Sequence, residues 1–502
     1  MRPFRHWCAC TRLGEWPARY RRGVVEGAAL AATSYERVNP SPPRLPAHLT
    51  VSMRVSPVAR KRKKQRLEIV HPRCAGIDIG SREHWVAVDP QCCDQPVRCF
   101  TTFTDDLQEL AHWLKSLDVE VVAMEATGVY WIPLYELLDS RGFDVHLVNS
   151  RATRQVSGRK SDVLDCQWIW QLMSHGLLKG AFRPTDEVCP LRSYVRQRAT
   201  KVQDQSRCIA HMQKALTQMN IQLDNVVSDL MGKTGTAILR AIVAGERDAQ
   251  QLAKLRDGRL RADEATVARS LHGNWRDEHL FALAQALAHY DFLGEQISAC
   301  DHQISQSLAA LPKRSEEPTP EPVKPLRNPH RTAAQQQALH QALHVVMGVD
   351  LCAIPTLGID TALVLASEIG ADLSRFPTER QFCSWLSLAP PTHISGGKAL
   401  PGRKPKSFNR AGQALRQAAS NARRSESYIG ACHRARLARM DGAKAVKATA
   451  HQLARLIYAM LTKGQAYVEK GIEAFEVQSR ERQLRALQRK ASKFGLVLAE
   501  SA

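Results

Sequence analysis

The stretch "GIDIGSREHWVAV", Gly76 to Val88, places Asp78 in the middle of a run of β-formers. Its two apolar, β-branched halves flank Gly80 and Ser81, the pattern of an antiparallel hairpin. A strand that apolar is buried on at least one face, and an ionised carboxylate is costly to bury unless something pairs with it. Asp78 is therefore either a strand-turn cap or the first ligand of a cation.

The segments that follow bear on that choice. "VRCFTTF" reads as a third strand. "TDDLQELAHWLKSL" reads as a helix, with Leu107, Leu110, Trp113, Leu114 and Leu117 at helical spacing and Asp105 and Gln108 at capping-box spacing. "VEVVAMEATG" is a nearly continuous apolar strand, as at a sheet centre, and ends at Glu125. "WIPLYELLDSRG" is a short helix closed by Gly142, "FDVHLVNS" a strand, and "SDVLDCQWIWQLMSHGLL" a helix. The order β-β-β-α-β-α-β-α matches the ribonuclease-H-like α/β architecture.

In that order Asp78 on the first strand and Glu125 at the end of the central strand come together at one edge of the sheet. Asp162 and Asp165, three apart on one helix, face the same way. Four converging carboxylates repel one another unless cations hold them. Mg²⁺ takes a few protein oxygens plus the phosphate oxygens of a substrate. Two such ions roughly 4 Å apart stabilise the attacking and leaving oxygens of phosphoryl transfer. Taken singly, Asp78 is equally a turn cap and Asp162 equally the N-cap of its helix. The ordered set, with Arg159 and Lys160 beside it for phosphate, favours the metal site.

Composition points the same way. The chain has 70 Lys+Arg against 49 Asp+Glu, a formal charge of +21, which favours a polyanionic partner, nucleic acid first. The 13 cysteines are scattered without a CxxC pair, and read as packing residues in a reducing cytosol. No apolar run approaches the roughly 20 residues of a membrane helix. Residues 1–70 form an Arg- and Pro-rich extension without lasting periodicity, expected to be disordered, and end in the basic run Arg60 to Arg66. That run reads as a nucleic-acid tail, and Met53 just before it is an alternative start to Met1.

"GIDIGSREHWVAV", "MEATGVYW", "VHLVNSRATRQVSGRKSDVLDCQWI", "IPTLGIDTALVLASEIG" and "HISGGK" together resemble the DEDD transposases of insertion-sequence family one hundred ten, over roughly residues 74 to 470. The resemblance implies a RuvC-like domain at 71–185 whose four acids fall on Asp78, Glu125, Asp162 and Asp165, holding Mg²⁺ or Mn²⁺. It implies a helical, coiled-coil domain at 186–311 used for homodimer or homotetramer assembly, and a mostly α C-terminal transposase domain at 343–470. It further implies a structured guide RNA that pairs with donor and target DNA, and a bacterial, cytoplasmic, nucleoid-associated protein.

The second half adds evidence of its own. Apolar residues recur at 283, 287, 290, 293, 297, 300, 304, 308 and 311, eight intervals over 28 residues. That averages 3.5, a coiled-coil period, although an ordinary amphipathic helix is a close alternative. Residues 312–342 read as an extended linker, with six prolines between Pro312 and Pro329. "IPTLGIDTALVLASEIG" has the form of a helix-hairpin-helix, either a phosphate-approaching element opening at Gly358 or simple packing. "THISGGK" reads as a glycine loop in which Ser395 is a loop serine or a nucleophile, with Lys398 and His393 near it; the family resemblance makes it the nucleophile of a phosphoserine link. From Gly396 to Met440 there are eleven Lys or Arg and one acid. Lys398, Arg403, Lys404, Lys406, Arg410 and Arg416 are the phosphate-binding candidates. Residues 471–502 read as a basic helical tail.

The expected activity is Mg-assisted DNA transposition and site-specific integration with a serine nucleophile, on DNA and guide RNA, with no membrane partner. The alternative is a metal-dependent Holliday-junction nuclease that hydrolyses with water. An ATPase of the actin type would need a second Asp-x-Gly phosphate loop in a strand context, which the chain lacks. A catalytically silent nucleic-acid-binding descendant is disfavoured because all four acids and the serine are present.

Overall fold

The computed structural model describes residues 68–126, 128–149, 153, 161–316, 331–390, 392–401 and 409–496. The basic extension up to residue 67 and residues 317–330, most of the Pro-rich segment, lie outside them. Among the described residues no helix is long and apolar enough to cross a membrane.

The N-terminal part follows the order the sequence implies: β1 (Cys74–Ile79), β2 (Glu83–Ala87), β3 (Val97–Thr101), α1 (Thr104–Ser116), β4 (Val121–Glu125), α2 (Ile132–Ser140), β5 (Asp144–Val148) and α3 (Asp162–Ser174). The five strands make a mixed sheet in the order β3-β2-β1-β4-β5. β1 is antiparallel to β2 and parallel to β4, and β4 is parallel to β5. This is a ribonuclease-H-like arrangement, with α1 and α2 serving as the crossovers that parallel pairs require.

Alternation along each strand sorts side chains between two helical layers. Ala75, Ile77 and Ile79 join Val122, Met124 and Leu147 on the face packed by Leu107, Leu110 and Leu114 of α1 and Leu134 and Leu138 of α2. Cys74, Ala123 and Val148 face Ile169 and Met173 of α3. Covered on both sides, β4 has no use for polar residues until its last position, Glu125.

The expected capping box on α1 does not form. The helix begins at Thr104, two residues earlier than that box would place it, and its N-cap Phe103 makes no side-chain cap. Asp106 instead accepts from the Thr101 hydroxyl and Gln108 from Arg141. A tertiary neighbour thus takes the Gln108 side chain that local spacing had assigned to the helix end, while Asp105 and Asp106 still complement the helix dipole.

The middle is helical: α4 (Val188–Gln218), α5 (Lys233–Val243), α6 (Ala249–Ala253), α7 (Glu264–Ser270) and α8 (Asp277–Ala310). α4 and α8 pack along each other in opposite directions. Arg198 meets Asp301 near one end, Gln205 donates to the Tyr290 carbonyl at the middle, and Met212 and Leu216 share a core with Leu283 and Leu287 at the other end. The 3.5-residue stripe of α8 is therefore buried within the chain against α4, as Leu283, Leu287, Leu293, Ile297, Cys300, Ile304 and Leu308 show. Period alone cannot say whether the facing helix comes from the same chain or another.

The C-terminal region comprises α9 (Ala333–Met347), α10 (Ile359–Ile369), α11 (Glu379–Trp385), the hairpin β6 (Thr392–Ser395) and β7 (Lys398–Pro401), α12 (Arg410–Asn421), α13 (Tyr428–Leu437), α14 (Gly442–Lys463) and α15 (Gln465–Lys493). Residues 333–342, expected in the linker, are the first turns of α9. A capping box between Thr332 and Gln335 starts the helix, and Leu339, Leu343, Val346 and Met347 bury its inner face. α15 likewise begins ahead of the expected tail boundary at 471. α10 is buried around most of its circumference and its first-turn Asp360 pairs with Arg331 at 2.6 Å, while Gly358 at its N-cap is exposed.

One core unites α9 to α14 with the start of α4 and the end of α8. Within it the Glu368 carboxylate of α10, 5% exposed, accepts from Arg192 at 2.9 Å and Arg196 at 2.7 Å of α4. Phe182, just before α4, stacks among Phe376 and Trp385. The helical region is thus clamped to the segment leaving the sheet domain.

Candidate active site

The ladder β1–β4 aligns Ile77 with Met124, so Asp78 and Glu125 occupy the next step of the same parallel pair. Both belong to the face that α3 covers. The approach of α3 depends on Gly76, because a Cβ there would fall 2.2 Å from the Trp170 amide nitrogen and 2.6 Å from the Cys166 carbonyl oxygen. Only a residue without a side chain lets the helix backbone lie against the strand.

α3 starts at Ser161, whose hydroxyl accepts from the Leu164 amide at 3.4 Å. Asp162 is the first helical residue and not the cap, which removes the capping explanation for it. Asp162 and Asp165 lie on one face of the first turn, where the positive end of the helix dipole offsets part of their mutual repulsion. Carboxylate oxygens of Asp78, Asp162 and Asp165 all lie within 4.8 Å of one another. Asp78 and Asp165 are half-buried and Asp162 is exposed, so the cluster is backed by the sheet and open to a large substrate.

Glu125 stands outside this three-way cluster. It is half-buried, and its Oε2 accepts from the Thr153 hydroxyl at 2.9 Å. The structure therefore gathers three of the four expected acids and places the fourth on the adjacent strand. Thr153 is the residue the sequence reading passed over; its only signal was a position inside the "NSRATR" stretch. Cys166, in the next turn of α3, is buried, and burial pushes its thiol up to about 12, which marks a packing residue.

Ser395 is not in a loop: it ends β6 and pairs with Lys398, the first residue of β7. The connection is Gly396 and Gly397, with φ of 56° and 75°, a two-residue turn that requires positive φ at both positions. Only the backbones of His393, Ser395 and Lys398 are among the described features. Arg159, Lys160, Arg403, Lys404 and Lys406 lie outside the described residues.

Arg410 opens α12 as an exposed residue, and Arg416 is half-buried with an Nε that has no hydrogen-bond partner among the described residues. Asn409 sets their helix: its Oδ1 accepts from the Gly412 amide at 2.8 Å and its Nδ2 donates to the Trp385 carbonyl at 3.0 Å. Part of the surrounding basic excess is structural. Arg434 donates to the carbonyl of Ser425 at 2.6 Å, and Arg436 to Thr449 and Gln452 at 2.9 and 2.6 Å. Arg423, Arg424 and Arg439 remain exposed with Arg410.

Comparison with protein families matches two parts of the chain. Residues 75–221 match the DEDD transposase family of IS110 elements, described as "Transposase". Residues 350–434 match the family described as "Transposase IS116/IS110/IS902 family". No curated protein matches the chain. The DEDD family implies a divalent metal and the action on DNA implies DNA binding. With the sheet domain under the first match and the α10–α13 region under the second, the chain belongs to the IS110 family of DEDD transposases, DNA strand-transfer enzymes that join an N-terminal DEDD domain to a C-terminal domain of the IS116/IS110/IS902 kind.

Proposed function

We propose that strand transfer here proceeds through a metal-assisted attack by Ser395 on a DNA phosphodiester, directed by a structured guide RNA. The observation that carries the metal half is the convergence of Asp78, Asp162 and Asp165 within 4.8 Å. Three carboxylate oxygens at that spacing fit a hard divalent cation that keeps positions open for phosphate, Mg²⁺ or Mn²⁺. When bound, such a cation supplies Lewis-acid polarisation of the scissile phosphate. Asp78 anchors the site on the rigid sheet, Asp162 and Asp165 close it from the helix, and Glu125, oriented by Thr153, completes it.

In the covalent step the Ser395 oxygen forms a bond to phosphorus while the bond to one ribose oxygen breaks. The serine proton leaves to a base and the released DNA end takes up a proton as a free hydroxyl. Attack by another DNA hydroxyl on the phosphoserine reverses this and frees the serine. Arg410 and Arg416, with Lys398, Arg403, Lys404 and Lys406, bind the backbone of DNA or RNA, and Arg159 and Lys160 serve the phosphate near the acids. Since the acids and the serine are far apart in sequence, one composite site forms between domains or between subunits of a dimer or tetramer; because the apolar stripe of α8 is covered by α4, subunit contacts would use other surfaces.

The test combines purified protein, RNA from the flanking element and a labelled donor–target DNA pair with Mg²⁺. A protein–DNA adduct that survives denaturation, and is lost in both Ser395→Ala and Asp78→Asn, supports the proposal. Cleavage that persists in Ser395→Ala without any adduct overturns the covalent step and leaves a hydrolytic nuclease.

A further inference from the structure

A second set of metal-ligating side chains lies far along the chain, where α9 turns into the domain core. His340 and His344 sit one turn apart on α9, 2% and 6% exposed. The chain reverses at Gly348, whose φ of 73° ends the helix. Asp350, 6% exposed, then caps a short 3-10 turn that carries Cys352.

His340, Asp350 and Cys352 meet, with His344 one turn further along α9. The His340 ring Nε2 is 2.9 Å from Asp350 Oδ1, which also accepts from the Cys352 amide at 2.8 Å. One ligand atom each from His340, Asp350 and Cys352 lies within 4.8 Å of the others. Among the described residues the Nδ1 atoms of His340 and His344 are buried without a hydrogen-bond partner. A buried ring nitrogen left unpaired is costly; His340 turns its Nε2 to Asp350, so its Nδ1 faces away, and the Nδ1 of His344, one turn along α9, is the ring nitrogen left in need of a partner.

We propose that this is a structural zinc site, with His340, Asp350 and Cys352 as ligands and His344 as the fourth. The donor chemistry selects the ion. A mixed nitrogen, oxygen and sulfur set suits a borderline-soft divalent metal and closes tetrahedrally around Zn²⁺. It suits Mg²⁺ poorly, since that ion prefers all-oxygen octahedral surroundings. The half-buried Cys352 side gives the entry path. The spacing His-x3-His, then Asp-x-Cys, has only one cysteine and so escapes a search for paired CxxC motifs. Zinc here ties α9 to the turn before α10, and the Asp350 amide, which donates to Gln465 Oε1 at 3.0 Å, extends the tie to the start of α15.

The test is metal analysis of the full chain, purified without added metal and dialysed, followed by cobalt substitution. The expected result is one zinc per chain and, with Co²⁺, a tetrahedral visible spectrum with a thiolate-to-cobalt charge-transfer band. That band disappears in Cys352→Ser and persists both in Cys383→Ser, a buried cysteine elsewhere in the same core, and in Asp78→Asn, which weakens the acid cluster. Zinc removal by a chelator lowers the melting temperature of the wild-type chain, and re-addition restores it, a readout that needs no variant to fold. A chain without stoichiometric zinc whose melting temperature ignores added zinc overturns the proposal, as does a cobalt spectrum that Cys352→Ser leaves unchanged.

Discussion

The two clusters of ligating side chains differ in both chemistry and exposure. Asp78, Asp162 and Asp165 are all oxygen donors, stand on two elements of the sheet domain, and include an exposed member. His340, Asp350 and Cys352 bring nitrogen, oxygen and sulfur together in a core where both His340 and Asp350 are nearly inaccessible. An open set of like charges is poised to accept something and is destabilised by its own repulsion. A closed set of unlike donors is already partly satisfied and contributes to the fold. Removing a member should therefore affect activity in the first cluster and stability in the second.

The sharpest way to break that contrast is to neutralise one acid in each. Asp162→Asn should cut strand transfer by roughly 10³-fold, about 4 kcal/mol of barrier, while stability changes by no more than about 0.5 kcal/mol, as for an exposed position. Asp350→Asn should do the reverse, lowering unfolding free energy by about 2 kcal/mol through loss of its bond to His340, with cleavage retained well below the melting temperature. Denaturant titrations and strand-transfer assays on the pair would settle it; matched losses in both assays for both variants would refute the distinction.

Gly76→Val probes how far the open cluster depends on backbone approach. Its side chain would collide with backbone atoms of α3, so about 3 kcal/mol of stability should go, together with divalent-metal affinity measured by calorimetry. Retained affinity would mean that α3 can move away without separating the acids.

Glu368 tests the behaviour of charge in the helical core. Burial alone would raise its carboxyl, yet the hydrogen bonds and charges of Arg196 and Arg192 hold it below the usual range. A depressed carboxylate contributes stability in full above about pH 4.5, its ordinary value, and loses it as pH falls through the lowered folded value. Glu368→Gln should cost about 2–3 kcal/mol at neutral pH, discounted because both arginines are partly exposed. It should also flatten the acid limb of the stability curve; an unchanged limb would show that other carboxylates control it.

The smallest effect belongs to Ser161→Ala, which removes the cap of the helix bearing two acids. About 1 kcal/mol of stability is expected to go, with a modest rise in the Mg²⁺ concentration needed for half-maximal activity. Restoration by Ser161→Asp, another good cap, would separate capping from any contact with substrate.

Much of the N-terminal half was legible because its signals are local. Period-2 runs, a doubly apolar β4 and three acids in order define the sheet and three members of its acid cluster. Capping was less legible: Asp105 and Gln108 had the right spacing, but the helix starts ahead of Asp105 and Arg141 takes the Gln108 side chain. The 3.5-residue stripe of α8 announced a partner helix without saying that α4 of the same chain supplies it. The His340, Asp350 and Cys352 cluster was invisible, since its members are unremarkable until the turn at Gly348 folds one segment onto the other.

By itself, the sequence determined the strand order, the acids on their strand ends and helix turn, and the net positive charge, because each depends on short-range periodicity or simple counting. Tertiary structure alone decided that α3 lies against Gly76 closely enough to join Asp162 and Asp165 to Asp78, that Glu125 turns to Thr153, and that α8 spends its apolar face on α4. Those outcomes depend on which distant surfaces meet, and packing is a property of the whole chain.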